Sequence, residues 1–330
     1  MLNESNCASI PEISRYSGIN FYLAQAVGAL TVIATFASTP FSIYFIIKRT
    51  IFENSTKMLI FQMLFYANFF QGTYFYEVLT LLNKTLWKQD KPCELLTTEA
   101  QCKMQFNFLI FSTSGMIYGL TGLMLERAFG TFFESTSKHM KILVSVILCT
   151  IVGITSIATP SVILWDDPLE KYAFACYVIP KQSITRASRF YIFSTGLIFA
   201  DKVVMNLMKK YNKRFEYKNR FNVNARFHNR QAIESTIVIC FMARILLVMF
   251  LIYTCGIGIL LNIKNDIPFT VFGVLISWVY TIPFVSAMIP PILIWRILKA
   301  RVQRSDTIAV ITETKQSVDV YFKQMKESWQ

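Results

Sequence analysis

Glu126 and Arg127 are the residues of this chain best placed to work with charge. They are an acid and a base side by side, closing a long apolar run that begins after Cys102. An ion pair at the mouth of a helix bundle can hold it shut, and freeing the arginine can open a crevice for a partner. The alternative is that Arg127 only snorkels from a helix end to lipid headgroups. Glu234, at the start of a later apolar run, is a second candidate partner for Arg127. Asp201 and Arg244 lie about 10 Å and about 12 Å from their helix ends at ~1.5 Å per residue, so they can neutralise each other, as a breakable or a permanent bridge. Glu77 stands near the far end of its own run, where it can meet a ligand or snorkel. Catalysis finds little support. The two histidines, His139 and His228, have no zinc-type spacing to cysteines, so no metal site is expected. No phosphate-cradling loop occurs among the 12 glycines. Glu77, Glu126 and Asp201 are too far apart in depth to act as a general acid–base pair. The last apolar run has no lysine for a retinal Schiff base. Neither an enzyme nor a cofactor is expected.

The elements that position these residues are membrane spans. The chain has 330 residues, 54% hydrophobic and 15% aromatic, and only 16% charged, against a usual ~25% charged. Its mean hydropathy is +0.42. Long apolar runs recur from end to end, so one polytopic helical domain is expected rather than two or three soluble ones. Arg127 follows Cys102 by 25 positions, roughly 37 Å of helix, which is a tilted span plus one interface. The spans fall at 19–47, 58–82, 103–126, 142–164, 188–208, 236–262 and 267–295. Residues 1–18 precede them and 296–330 follow. The fifth span is the weakest because it holds Asp201 and Lys202, each costing about 2.5–3.5 kcal/mol at a helix centre. Both sit toward one end, after Phe190, Tyr191, Phe193, Leu197 and Phe199. Pro40, Pro160, Pro283, Pro290 and Pro291 fall in or at the ends of spans, where neighbouring helices re-satisfy freed carbonyls.

Charge sets the expected orientation. Residues 1–18 carry Glu4, Glu12 and Arg15, with no cleavable leader, and Lys48-Arg49 follow the first run, so it reads as a signal-anchor with the N-terminus outside. Inner loops and tail then hold 21 Lys and Arg against 8 outside, giving net charges of +13 and −1, in keeping with the positive-inside rule. The basic excess thus faces anionic lipid, not nucleic acid. Asn3 and Asn83 head sequons that fall outside and can carry sugar, whereas the Asn54 sequon falls inside and should stay bare. Cys7, Cys93, Cys102 and Cys176 lie outside, an even number in an oxidising compartment; Cys149, Cys240 and Cys255 lie within spans. Four cysteines allow three connectivities. The pairing expected is Cys102–Cys176, tying the third span to the second outer loop, with Cys7–Cys93 following mainly from it.

Counting back from Arg127 by helical turns puts Leu109, Thr113, Met116 and Leu120 on its inward face, with Gln105 and Phe106 near the mouth. That lining is apolar with one hydroxyl and no carboxylate, so it suits a small, weakly polar ligand better than a cationic amine, or it is bundle packing alone. The third inner loop, Lys209 to Ser235, mixes eight bases with Tyr211, Phe215, Tyr217, Phe221 and Phe227, a composition that docks a partner or lies on lipid. Arg296 to Val302 reads as a short amphipathic helix leaving the seventh span along the membrane surface.

A rim cysteine paired with an opposite-rim Glu-Arg resembles the third helix of seven-helix G-protein-coupled receptors. More closely, several stretches resemble the nematode serpentine receptors of class alpha (Sra). Asn6-Cys7-Ala8-Ser9 is similar to that family's start. Ser114-Gly115-Met116-Ile117-Tyr118-Gly119-Leu120-Thr121-Gly122-Leu123 leads into Glu126-Arg127-Ala128-Phe129 as in its third helix, with Gly130 where alanine is expected. Phe221-Asn222-Val223-Asn224-Ala225-Arg226-Phe227 is similar to the loop before its sixth helix, and Tyr321-Phe322-Lys323-Gln324-Met325-Lys326-Glu327-Ser328-Trp329 to its tail. The seventh span has no Asn-Pro-x-x-Tyr, so the inner switch of rhodopsin-like receptors is not carried over. The resemblance implies an olfactory-type chemoreceptor in the plasma membrane of sensory neurons, on cilia, with a small-molecule ligand and a heterotrimeric G protein as partners. A seven-helix ligand-gated channel or transporter is the alternative. It fits less well, because insect seven-helix channels are inverted and an ion path would want several membrane acids at graded depths.

Overall fold

A bilayer offers the backbone no hydrogen-bond partners, and a long apolar run meets that demand by folding as a helix. The computed structural model describes residue 7 and residues 18–48, 52–87, 92–133, 137–173, 175–177, 179–180, 182–218, 223–263 and 266–328. The helices are α1 (Ile19–Lys48), α2 (Asn54–Trp87), α3 (Glu99–Phe132), α4 (Lys138–Ile163), α5 (Ile184–Lys218), α6 (Val223–Ile263), α7 (Phe269–Val279) and α8 (Ile282–Ser328), with one helical turn at Pro92–Leu95. Two short strands, β1 (Thr97–Thr98) and β2 (Tyr172–Ala173), pair antiparallel with Thr97 opposite Ala173 and Thr98 opposite Tyr172.

Local chemistry sets several of these ends. Thr98 opens α3 with a capping box: its hydroxyl accepts the Gln101 N–H at 3.3 Å, while the Gln101 side chain accepts the Thr98 N–H at 3.3 Å. Ser137 caps α4 by accepting the Met140 N–H at 3.4 Å. α3 is the centre of the bundle: 67% of its most apolar stretch is buried, against 22% for α4. α4 therefore turns Ile147, Ile151, Ile154 and Ile157 outward, a stripe at helical spacing that suits contact with lipid. Small residues let α2 and α3 approach closely. A Cβ on Gly115 would stand 2.4 Å from the Tyr66 ring, so a larger side chain there has no room.

Among the described residues six stretches are long and apolar enough to cross a bilayer: α1, α3, α4, Ile184–Phe215 of α5, Arg230–Ile263 of α6, and Val271–Gln303 across α7 and α8. α2 is the polar exception, and its polar side chains are spent on the protein. Gln62 donates to the Cys149 carbonyl at 2.9 Å, and Gln71 to the Pro283 carbonyl and the Ser286 hydroxyl, both at 2.7 Å.

Three expectations need correction. The seventh span is not one helix but two, α7 and α8, parted at Tyr280–Thr281. Pro283 lacks an N–H and crowds the carbonyl four residues back, that of Val279, which is where α7 ends. The stretch expected as a third inner loop is largely helical, since α5 runs on to Lys218 and α6 begins at Val223. The tail carries no separate short helix at 296–302: α8 continues unbroken to Ser328, about 70 Å at ~1.5 Å per residue.

Candidate functional site

Two polar sites form at opposite ends of α3. At the Cys102 end, the structure bonds Cys102 to Cys176 and Cys7 to Cys93. The first bridge, the β1–β2 pair and the Glu99 N–H donating to the Lys171 carbonyl at 2.8 Å fasten the segment after β2 across the bundle. Glu77, only 2% exposed, adds to this: its Oε1 accepts the backbone N–H of Cys176. The next residue, Tyr177, stacks on Tyr280 with centroids 5.3 Å apart.

Beside that stack lies a cavity of about 120 Å³, walled by Tyr177, Tyr191, Tyr253 and Tyr280 with Ser188, Thr254 and aliphatic residues. Its side chains come from α5, α6, α7, the Tyr280 break and the segment after β2. Tyr191 and Tyr253 meet edge to face at 4.8 Å, and Tyr253 meets Tyr280 at 6.0 Å. Among the described residues no Asp, Glu, Lys or Arg lines it. Hydroxyls on an otherwise apolar wall can orient an uncharged, flat or aliphatic molecule.

The expected pocket face and this cavity do not coincide. Phe106, Leu109, Thr113 and Met116 are buried in packing, Gln105 is partly buried, and none of them lines the cavity. α3 is enclosed on nearly every side, so its inward face meets neighbouring helices instead of open space. Phe106 packs with Cys102, Cys176 and Leu164, and the Thr113 hydroxyl is spent on the Leu109 carbonyl at 2.8 Å. The cavity residues did carry a signal in the sequence. Tyr191 lies in the first half of the fifth span, Tyr253 in the second half of the sixth and Tyr280 at the middle of the seventh, and a fourth tyrosine, Tyr177, follows a disulfide cysteine.

At the other end, Glu126 and Arg127 are 4% and 5% exposed and hold each other through two contacts, Nε to Oε2 at 2.6 Å and Nη2 to Oε1 at 2.7 Å. α2 completes the enclosure. Ser55 donates to Glu126 Oε1 at 2.7 Å, Thr56 donates to Oε2 at 3.1 Å, and Arg127 Nη2 also reaches the Thr56 oxygen. Arg127 Nη1 donates to the Ser235 hydroxyl of α6 at 2.9 Å, and Glu53 stands 3.9 Å from Nη2. A buried ion pair is tolerable only when its remaining donors and acceptors are met, as they largely are here. The cage therefore joins α2, α3 and α6 through groups that can all be exchanged for other partners.

α6 meets Arg127 through the Ser235 hydroxyl, next in sequence to Glu234. One expected pairing takes another form. Asp201 pairs with Thr121 of α3, whose hydroxyl lies 2.7 Å from Oδ2, and not with Arg244. Asp201 is 1% exposed, whereas Arg244 turns to the outside of α6, so the two cannot meet. Asn83 is exposed near the end of α2, while Asn3 lies outside the described residues. Among the described residues no three His, Cys, Asp or Glu side chains gather as metal ligands would.

The profile of the family described as serpentine type 7TM GPCR chemoreceptor Sra matches residues 2–329. The chain belongs to the Sra family. Similar proteins from Caenorhabditis elegans include serpentine receptor class alpha-6, 38% identical over 99% of this chain and 100% of its own length. Class alpha-2 is 36% identical over the same shares, and class alpha-8 is 36% identical over 98% of each chain. Sra proteins are seven-transmembrane chemoreceptors, a receptor family and not an enzyme family. Six spans are apparent from apolarity, and α2 supplies the seventh.

Proposed function

We propose that this Sra-family protein sits in the plasma membrane of sensory neurons, on their cilia, with its N-terminus outside and its C-terminus in the cytosol. There it binds a small, uncharged, weakly polar cue in the tyrosine cavity and activates a heterotrimeric G protein. The observation that carries this reading is a link through α6: Ser235 of α6 holds the closed arginine cage, and Tyr253 of the same helix walls the small cavity beside the Cys102–Cys176 bridge. A ligand between Tyr253 of α6 and Tyr280 at the α7–α8 break changes the packing of α6. α6 also carries Ser235, one of the Arg127 partners, so movement there loosens the cage. Lys210, Lys213 and Arg214 of α5 and Arg230 of α6, all exposed, then offer a basic surface to the G protein and to anionic lipid.

The test is nucleotide exchange on a co-reconstituted G protein during a screen of volatile and weakly polar compounds. A hit should lose its effect in Tyr253→Ala while surface expression stays unchanged. Arg127→Ala should abolish exchange with every hit. Ligand-evoked current in cells without G-protein signalling would replace this reading with the channel.

A further inference from the structure

A second cavity, of about 300 Å³, opens next to the arginine cage where α2 and α4 begin. Its polar lining is Glu53, Asn54, Ser55, Lys138, Lys141 and Gln231. Two ammonium groups thus face one carboxylate. Both helix starts also present first-turn N–H groups that have no acceptor within their own helix, which adds positive potential. This cavity differs in kind from the tyrosine cavity, whose described lining is uncharged. By the spans read from the sequence, 58–82 and 142–164, it lies where those helices leave the hydrocarbon for the headgroups.

We propose that this cavity binds a phosphomonoester anion, presented by a phosphorylated inositol lipid of the adjoining leaflet. Lys141 is only 21% exposed and holds Glu53 at 3.5 Å, and the same Glu53 Oε2 lies 3.9 Å from Arg127 Nη2. An anion that takes Lys141 away pushes Glu53 toward Arg127 by like-charge repulsion, closing the cage more firmly. The lipid therefore acts as a brake on the switch. That regulatory step rests on the signalling role proposed above, whereas the binding itself does not.

The experiment is native mass spectrometry of the full chain in neutral detergent, titrated with phosphatidylinositol 4-phosphate or with phosphatidylinositol, the same lipid without the monoester. The phosphorylated lipid should be retained at least tenfold better. Lys138→Gln with Lys141→Gln should erase the preference, and Lys299→Gln with Arg301→Gln, an equal loss of charge on α8, should keep it. Lys138 is exposed, so Lys138→Gln alone spares the packing and should weaken retention severalfold. Soluble inositol 1,4-bisphosphate displacing the lipid would place recognition in the phosphate; retention without displacement would place it in headgroup and acyl chains together. Equal retention of both lipids, or a preference that survives loss of both lysines, would overturn the proposal. Because binding is read in detergent, a reversed membrane orientation or an absent G-protein response would leave this result standing.

Discussion

Thr56 shows how much one hydroxyl can control. It lies between the Glu126 carboxylate and the Arg127 guanidinium, touching both. Thr56→Val keeps the shape and removes that contact, leaving buried charge less well matched, at a cost of about 1–3 kcal/mol. We predict a melting temperature lower by a few degrees in detergent, together with raised ligand-free nucleotide exchange, because the closed cage loses more than the open one. Asp201 makes the opposite point. Among the described residues its Oδ1 has no hydrogen-bond partner and its Oδ2 meets Thr121 alone. A double-mutant cycle of Asp201→Asn with Thr121→Val should therefore show coupling of about 0.5–3 kcal/mol, while Asp201→Asn with Arg244→Gln should add within about 0.5 kcal/mol. The Glu126-Arg127 pair was legible in the sequence because two adjacent charges closing an apolar run have few other uses. Ser55, Thr56 and Ser235 were not, since hydroxyls are common in such helices and are usually satisfied by their own backbone, as Thr113 is.

At the scale of the helix, the α2–α3 contact and the α7–α8 break carry most of the argument. Gly115→Ala gains helix propensity of up to about 1 kcal/mol. It also drives a methyl into the Tyr66 ring, an overpacking cost of about 1–3 kcal/mol that a ring fixed among buried neighbours cannot relieve. Net destabilisation is expected, with recovery when Tyr66→Leu is added, read as thermal stability of the purified chain. The break behaves differently. Thr281 donates to the Met249 carbonyl at 2.7 Å, and Gln71 to the Pro283 carbonyl at 2.7 Å, so neighbouring helices meet the polar groups of the interrupted segment. Pro283 was visible in the sequence, but a proline within a span is compatible with a bend, a break or a straight helix. Only the partners on α2 and α6 decide which. Helical periodicity likewise put Leu109, Thr113, Met116 and Leu120 on one buried face of α3, yet could not tell an open face from a packed one.

For the whole molecule, the inner–outer bias in Lys and Arg predicts an epitope after residue 330 that antibodies reach only in permeabilised cells, and an Asn83 sugar with a bare Asn54. The fold was legible because apolarity, length and charge asymmetry act locally and need no knowledge of neighbours. α2 is where that logic thins. Gln62 bonds to α4, Gln71 to α8 and Glu77 to the segment after β2, and every one of these partners is made later in synthesis than α2 itself. When α2 leaves the ribosome it carries polar groups that hydrocarbon cannot satisfy, so it has to linger at the translocon until the following helices arrive. A nascent chain cut off before α3 should slip into the lumen or the cytosol more often than one carrying α1 alone, and biogenesis of this receptor should depend on chaperones that shelter half-finished bundles.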